Sequence, residues 1–362
     1  MKKHSLLISL SIVVILSLLL SACASAASGP KTYVLVPKNL GNPYFDTANK
    51  GAQTAAKELG VTVQYNGPAA ADATQQIQLL NSLIAQKVSG LAISADDKDA
   101  LVATGAAAIK AGIPVVSAPQ PDEALVVLEK ISSERNAEFT LVGREVTFEG
   151  MEHSLDGQTL TILDQRSSTT NPLQGREPKS VILRIPLLGM HQVVNAVTAY
   201  TALQKSGLSL SEAAIQRGFV EVRWPCRFEV LRREPAVVLD SAHNADSARR
   251  LRQTLDDYFP DRPVVWVFSI LEDKDADGML AELKPRLMQV IATQTDHPRV
   301  LEAEKIVRLV QPTGIPVELV RPGEAALDRA MELAGNRGIV LVAGSVAFAG
   351  EMKTAWEKRL HV

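Results

Sequence analysis

The chain has 362 residues, 46% hydrophobic and 22% charged, a globular balance that excludes wholesale disorder and is long enough for two or three domains. Lys and Arg number 38 against 40 Asp and Glu, a formal net charge of −2, and aromatics make up 4%, which excludes nucleic-acid binding through bulk charge or aromatic stacking platforms. Two cysteines, Cys23 and Cys226, build neither a disulfide framework nor a cysteine-based zinc site, and no metal ligands are assigned.

Lys2 and Lys3 precede an uncharged apolar run from Leu6 to Leu20, which leads into Ser21, Ala22 and Cys23. A basic start, an apolar stretch and small residues read as an export signal. The alternative is an uncleaved membrane helix, since the run is nearly long enough to span. Leu20-Ser21-Ala22-Cys23 resembles the bacterial lipobox. That resemblance implies cleavage after Ala22, lipidation of Cys23 and a membrane-anchored lipoprotein. Residues 1–22 are then the signal, and 23–32 the lipidated cysteine and its linker.

Beyond the linker, short apolar runs alternate with helical patterns. Strands are expected at Tyr33–Pro37, Val61–Tyr65, Gly90–Ser94 and Ile113–Ser117. Helices are expected at Tyr44–Leu59, which Gly60 ends, at Ala73–Gln86, where Ile77, Leu80 and Ile84 share a face, and at Lys98–Ala111. Such alternation predicts a parallel, doubly wound sheet. Gly41-Asn42-Pro43-Tyr44-Phe45, Gln75-Gln76-Ile77 and Gly90-Leu91-Ala92-Ile93-Ser94 followed by Asp96 resemble the sugar-type periplasmic binding proteins of ABC importers. The resemblance covers about Tyr33 to Ser117. It implies a sugar-like ligand at the carboxyl ends of the strands, contacted by Lys38, Asn42, Phe45 and Asp96. It covers one lobe of a two-lobed clamp, so only one side of a ligand would be enclosed.

From about Gly112 the pattern changes. A helix is expected at Asp122–Glu134, a strand at Thr140–Gly143, β-rich segments near Thr159–Leu163 and Val181–Ile185, and two further helices. Val237–Leu239 is a short apolar run ending in Asp240, as in a buried parallel strand. Asp240 and His243 stand three apart across the turn that follows, and Asn244 is placed to cap a helix over Ala245–Tyr258. An Asp there can hold a metal-bound or ribose hydroxyl, and a His can contact phosphate. Further helices are expected at Ala276–Leu287, Glu304–Val310 and Glu324–Ala334, and a strand at Ile339–Ala343.

Several motifs stand in order here: Gly189-Met190-His191-Gln192-Val193-Val194-Asn195-Ala196, Trp224-Pro225-Cys226-Arg227-Phe228-Glu229, Asp240-Ser241-Ala242-His243-Asn244, Asp273-Lys274-Asp275, His297-Pro298-Arg299 and Gly344-Ser345. Together they resemble folylpolyglutamate synthase/dihydrofolate synthase of the Mur ligase superfamily. The resemblance implies ATP-dependent amide ligation, in which glutamate attacks an acyl phosphate of a folate. It places Asn195 on adenine, Arg227 on the terminal phosphates, Asp240 and His243 in the catalytic cleft, and Ser345 on glutamate, with ATP and Mg2+ as cofactors. Lys274 is a loop lysine able to position an acidic group, and His191 and Gln192 read as packing residues. Cys226 stands where that family favours Gly, Ser269 where it often has Gly, and Ala347 where it has an aromatic. A phosphate-cradling G-x-x-x-x-G-K-[ST] loop needs a Gly-Lys pair, and the sequence contains none. ATP binding is therefore expected to be weak and ligase turnover absent.

The fold class expected is α/β: an incomplete parallel βα lobe over 33–117, of periplasmic-binding-protein type, joined to a Mur ligase central-domain remnant over 118–222 and a Rossmann-like domain over 223–362. Gly112-Ile113-Pro114-Val115-Val116-Ser117 fits both patterns and marks the join. An exported lipoprotein and a cytoplasmic folate ligase belong to different compartments. The readings left open are a disabled ligase, a lipid-anchored sugar-binding protein, and a gene fusion or assembly chimera with no function of its own.

Overall fold

The computed structural model describes residues 31–96, 115–134, 138–165 and 179–360. The export signal, Cys23 and the helix expected at Lys98–Ala111 lie outside them. Among the described residues no helix is long and apolar enough to cross a membrane. The chain divides into two compact units, one of residues 1–115 and 120–139, the other of 116–119 and 140–362.

In the first unit, β1 (Thr32–Val36), β2 (Thr62–Tyr65) and β3 (Gly90–Ile93) form a parallel sheet in the order β2-β1-β3. Helices α1 (Pro43–Leu59) and α2 (Ala73–Ala85) connect the strands. Asn42 caps α1 by accepting the Tyr44 amide, and Gly60 ends it at φ +63, a left-handed backbone that glycine adopts without a Cβ clash. Val34 and Val36 of the central strand bury against Leu80 and Leu83 of α2 and against Val88. Gln76 is almost fully buried and fully bonded. Its amide nitrogen donates to Pro37 O and Ser94 O, and its amide oxygen accepts from Asp96 N. One side chain thus ties together the carboxyl ends of β1 and β3. The helix α3 (Asp122–Glu134) belongs to this unit.

In the second unit, β4 (Val115–Ser117) pairs with β5 (Phe139–Leu141). An antiparallel sheet follows, β6 (Val146–Ser154), β7 (Gly157–Asp164) and β8 (Lys179–Ile185). Alternate residues Leu160, Ile162, Leu183 and Ile185 face inward, where Val193, Val197 and Tyr200 of α4 (Met190–Lys205) and Ile215 of α5 (Glu212–Glu221) cover them. That period of two is what a sheet covered on one face requires.

The larger sheet has six strands in the order β13-β12-β11-β14-β10-β9. These are β9 (Glu229–Arg233), β10 (Ala236–Leu239), β11 (Val264–Phe268), β12 (Leu287–Ala292), β13 (Val317–Leu319) and β14 (Ile339–Ala343). All pair in parallel except β9, which runs antiparallel at the edge. The central strands are buried on both faces. Val238, Trp266 and Leu341 point to α6 (Ala245–Tyr258), α7 (Ala276–Leu283) and α8 (Ala303–Val310). Val237, Val267 and Val340 point to α9 (Gly323–Ala334) and α10 (Val346–Arg359). A strand covered on both faces reads as an unbroken apolar run, which is why β10 and β14 are visible in the sequence. The expected helix Ala276–Leu287 stops at Leu283 instead. Lys284–Arg286 tightens into a 3-10 turn around Pro285, and Leu287 opens β12. The pyrrolidine ring denies the helix an N–H at that point.

Candidate functional site

In an open α/β sheet, ligands gather at the carboxyl ends of the strands where the winding direction reverses. Here the chain winds outward from β11 to β13, then crosses back to β14 beside β10. Asp240 ends β10 at that point, with Ser241, Ala242 and His243 after it. The Asp240 carboxylate is buried. One oxygen accepts the Phe228 amide at 2.8 Å and the other the Ala242 amide at 2.7 Å. Burial pushes its pKa up, against the opposing pull of those two amides and of Arg227 and His243. His243 holds its Nδ1 2.9 Å from Ser241 O. Asn244 accepts the Ser247 amide as the N-cap of α6, and the Ser247 hydroxyl answers the Asn244 backbone in a capping box.

Arg227 sits on a turn of unusual backbone. Cys226 lies at φ +58 and Phe228 at φ +42, a left-handed region that side chains with a Cβ enter at a cost. Four contacts clamp the turn. Phe228 N donates to Asp240, the Ser241 hydroxyl donates to Cys226 O at 2.8 Å, and Cys226 N donates to Glu229 at 2.9 Å. Lys353 of α10 then donates to the other oxygen of Glu229. The Arg227 guanidinium lies over the Trp224 ring, 5.5 Å from its centroid. Trp224, Arg227, Phe228, Leu187 and Pro186 line a groove of about 200 Å³.

Facing this turn is the start of α4. Gly189, at φ +99, leaves no room for a Cβ, which would fall 2.5 Å from Thr254 Oγ1 and 2.9 Å from the His191 ring. His191 is pushed down to about 4, first by burial and then by the positive charges of Arg250 and Arg227. Asn195, one turn on, is exposed and donates to Gln192 Oε1 at 3.2 Å. The structure therefore brings the Arg227 turn, Asp240 and His243 together at the end of β10.

Ser345 follows β14 but is buried, and its hydroxyl accepts the Phe348 amide at 3.0 Å as the N-cap of α10. Its oxygen is thus committed to the helix. Lys274 pairs with Asp273 at 2.8 Å, and Arg299 joins the same carboxyl group at 3.2 Å. Ser269 is buried and accepts the Thr295 amide, while the Thr295 hydroxyl donates to Glu351. Sequence reasoning missed the clamp made by Ser241, Glu229 and Lys353. Glu229 closes the Trp224–Glu229 motif and offered a signal; Lys353 lies 124 residues from its partner and offered none.

In the first unit, Lys38 is exposed and Asn42 is occupied as a helix cap. Phe45 is buried and meets Tyr44 edge to face at 5.1 Å, the packing of a core ring. Asp96 differs, since both carboxylate oxygens are buried and make no hydrogen bond of good geometry, the backbone of Asp72 being their nearest donor. Burial raises its pKa, and Lys38 draws it back down.

An arginine, a histidine and a helix N-terminus suit nucleotide phosphates. Each oxygen of the Asp240 carboxylate already accepts one backbone amide, and among the described residues no group of three or more His, Cys, Asp or Glu could hold a metal ion.

The chain is 32% identical over 290 residues to the dihydrofolate synthase/folylpolyglutamate synthase of Mycobacterium tuberculosis, covering 72% of this chain and 58% of that relative. It is 34% identical over 183 residues to a probable bifunctional folylpolyglutamate synthase/dihydropteroate synthase of Haloferax volcanii, covering 50% of this chain and 22% of the relative. The chain thus spans well under two thirds of the length of these relatives. Its fold is similar to that of Mycobacterium tuberculosis folylpolyglutamate synthase complexed with ADP and AMPPCP, with a TM-score of 0.65 and 24% identity over 86% of this chain and 72% of that one. Escherichia coli FolC in complex with DHPP and ADP gives a TM-score of 0.63 at 22% identity, over 87% of this chain and 71% of that one. Residues 33–133 match the family pattern of a periplasmic binding protein domain, some way past the Ser117 limit read from the sequence, and residues 226–346 match that of a Mur ligase, glutamate ligase domain, so two segments of one polypeptide are similar to two different families.

Proposed function

We propose that the second unit is a folate-ligase-type nucleotide site that binds adenine nucleotide weakly and does not turn over. The carrying observation is the clamped turn that presents Arg227 beside Asp240 and His243. Arg227 would take the phosphates, with His243 at its side and Asn195 on the adenine. Asp240 acts through the backbone, by holding the Phe228 amide and so the position of Arg227. ATP would supply the activated phosphoryl group of an amide ligation between a folate carboxyl and glutamate, but the chain has no Gly-Lys pair with which to cradle the triphosphate. Losing charge stabilisation of that kind costs on the order of 10²–10³ in rate per donor. Ser345 is buried and caps α10 through its hydroxyl oxygen, which places it as a structural residue first and a glutamate contact second.

Equilibrium dialysis of the full chain against millimolar ADP, with labelled-glutamate incorporation in the presence of MgATP and a reduced folate, tests both halves. Retained ADP without product is expected. Steady product overturns the inactive reading; no retained ADP overturns the nucleotide reading.

A second reading rests on Asp96. A buried carboxylate with poorly satisfied oxygens is an acceptor suited to a sugar hydroxyl. Calorimetric titration with simple sugars tests it, and no heat up to millimolar sugar rejects it. Lipid anchoring through Cys23 remains part of this reading, to be checked by mass spectrometry of the mature N-terminus.

A further inference from the structure

We propose that the Trp224 indole is the resting seat of the Arg227 guanidinium, and that a phosphate ligand in the cleft draws the guanidinium off it. This rests on the nucleotide reading above and adds a positioning residue to it. The backbone beneath Arg227 cannot swing. Its neighbours Cys226 and Phe228 are held in left-handed conformations, and Asp240, Ser241 and the Glu229–Lys353 pair bind the turn on both sides. What freedom remains belongs to the side chain, which has two attractive places to go.

One is the face of Trp224, where the guanidinium now lies 5.5 Å from the ring centroid. An exposed cation–π contact is modest in strength, enough to hold an arginine and weak enough to release it. The other is the cleft at the end of β10, beside Asp240, whose carboxylate holds the amide of the very next residue, Phe228. A di- or triphosphate there offers several anionic oxygens in a geometry that a guanidinium fork matches. The seat therefore competes with the ligand. It weakens phosphate binding by the strength of the stack.

The indole also reports the event. Trp224 is 46% exposed, whereas Trp266 and Trp356 are 0% and 8% exposed, so external quenching reads Trp224 almost alone. Acrylamide quenching of the full chain is measured without ligand, with ADP and with inorganic pyrophosphate, beside equilibrium dialysis for bound ADP. In ligand-free protein, Arg227→Met should raise the quenching constant by uncovering the ring. In the wild type, ADP should raise it similarly, and in Arg227→Met it should change nothing further. Trp224→Leu keeps the apolar bulk and removes the π face. It should tighten ADP by about 3-fold, the release of a contact of this class, and should abolish the quenching response.

Bound ADP with unchanged quenching overturns the proposal. So does an unaltered or weakened ADP affinity in Trp224→Leu, with its thermal unfolding matching the wild type. A chain that retains no ADP in dialysis sinks the nucleotide reading and the ligand-driven release together. Equal quenching of ligand-free wild type and Arg227→Met removes the resting seat itself.

Discussion

Cys226 stands at φ +58 where the resembling ligases favour glycine, and its side chain is buried with the thiol pushed up to about 11, chiefly by burial. Two replacements separate backbone strain from packing. Cys226→Ala and Cys226→Gly both remove the sulfur, but only glycine removes the Cβ that crowds a left-handed backbone. The glycine variant should be more stable than the alanine variant by about 1 kcal/mol in urea denaturation. Equal stabilities would mean that the turn carries no strain. His191 gives a pH signature. It falls from an ordinary 6.5 to about 4, so between those values the unfolded chain takes up a proton that the folded chain refuses. Stability then rises with pH across that window and is lost as pH falls from 6.5 towards 4. His191→Gln should flatten that loss by up to about 2 kcal/mol, after allowance for screening. Denaturant midpoints at pH 7 and pH 4.5 for both proteins check it; parallel losses reject it.

At the scale of elements, legibility followed burial. The apolar runs of β10 and β14 are covered on both faces and were read to within a residue. So were α6, whose cap residue Asn244 bonds as expected, and α1, with its terminal Gly60. Strand β6 was missed because Val146–Ser154 alternates weakly and carries Glu149, Glu152 and His153. Its pairing with β7 forms the strand without a hydrophobic signal. The candidate site was legible in its motif residues, Arg227, Asp240 and His243, and illegible in Lys353, which reaches the turn through Glu229 from 124 residues away in the chain. Ser345 was read as a ligand contact from its motif, although Ser followed by a helix is equally a cap. The preceding Gly344 sets a sharper test. At φ +140, a Cβ there would meet Ser269 O at 2.3 Å and the Phe268 ring at 2.9 Å. Gly344→Ala should destabilise by about 3 kcal/mol or more, since a backbone carbonyl of β11's continuation must yield. In the first unit, Gln76→Leu keeps the volume but orphans Pro37 O, Ser94 O and Asp96 N. A loss of about 2–3 kcal/mol is expected, read as an earlier denaturant midpoint.

At the scale of the molecule, the join is where two grammars agree. Val116–Ser117 serves the second unit by pairing with β5, while α3, only a few residues on, belongs to the first. The sequence reads the join at Gly112–Ser117, because Ile113–Ser117 has the pattern of a buried strand in either family, whereas the periplasmic-binding-protein match continues to residue 133. The same reading assigns α3 to the ligase remnant over 118–222, whereas the helix packs with the first unit and, but for its last residue, lies inside the 33–133 periplasmic-binding-protein match. The two units are unequal in what they bury. The first unit's described core is Val34, Val36, Leu80, Leu83 and Val88 under a three-stranded sheet. The second buries both faces of a six-stranded sheet, with Trp266 and Phe268 stacked 3.8 Å apart at its centre. Burial of apolar surface is the main favourable contribution to folding, so resistance to opening should follow this inequality. Native-state hydrogen exchange of the full chain in rising urea should show β1, β2 and β3 exchanging through an opening of lower free energy than β10, β11 and β14, and with its own denaturant dependence. A single shared opening for all six strands would show that the two families have merged into one cooperative fold. Two distinct openings are what a chain built from two separately packed α/β cores requires.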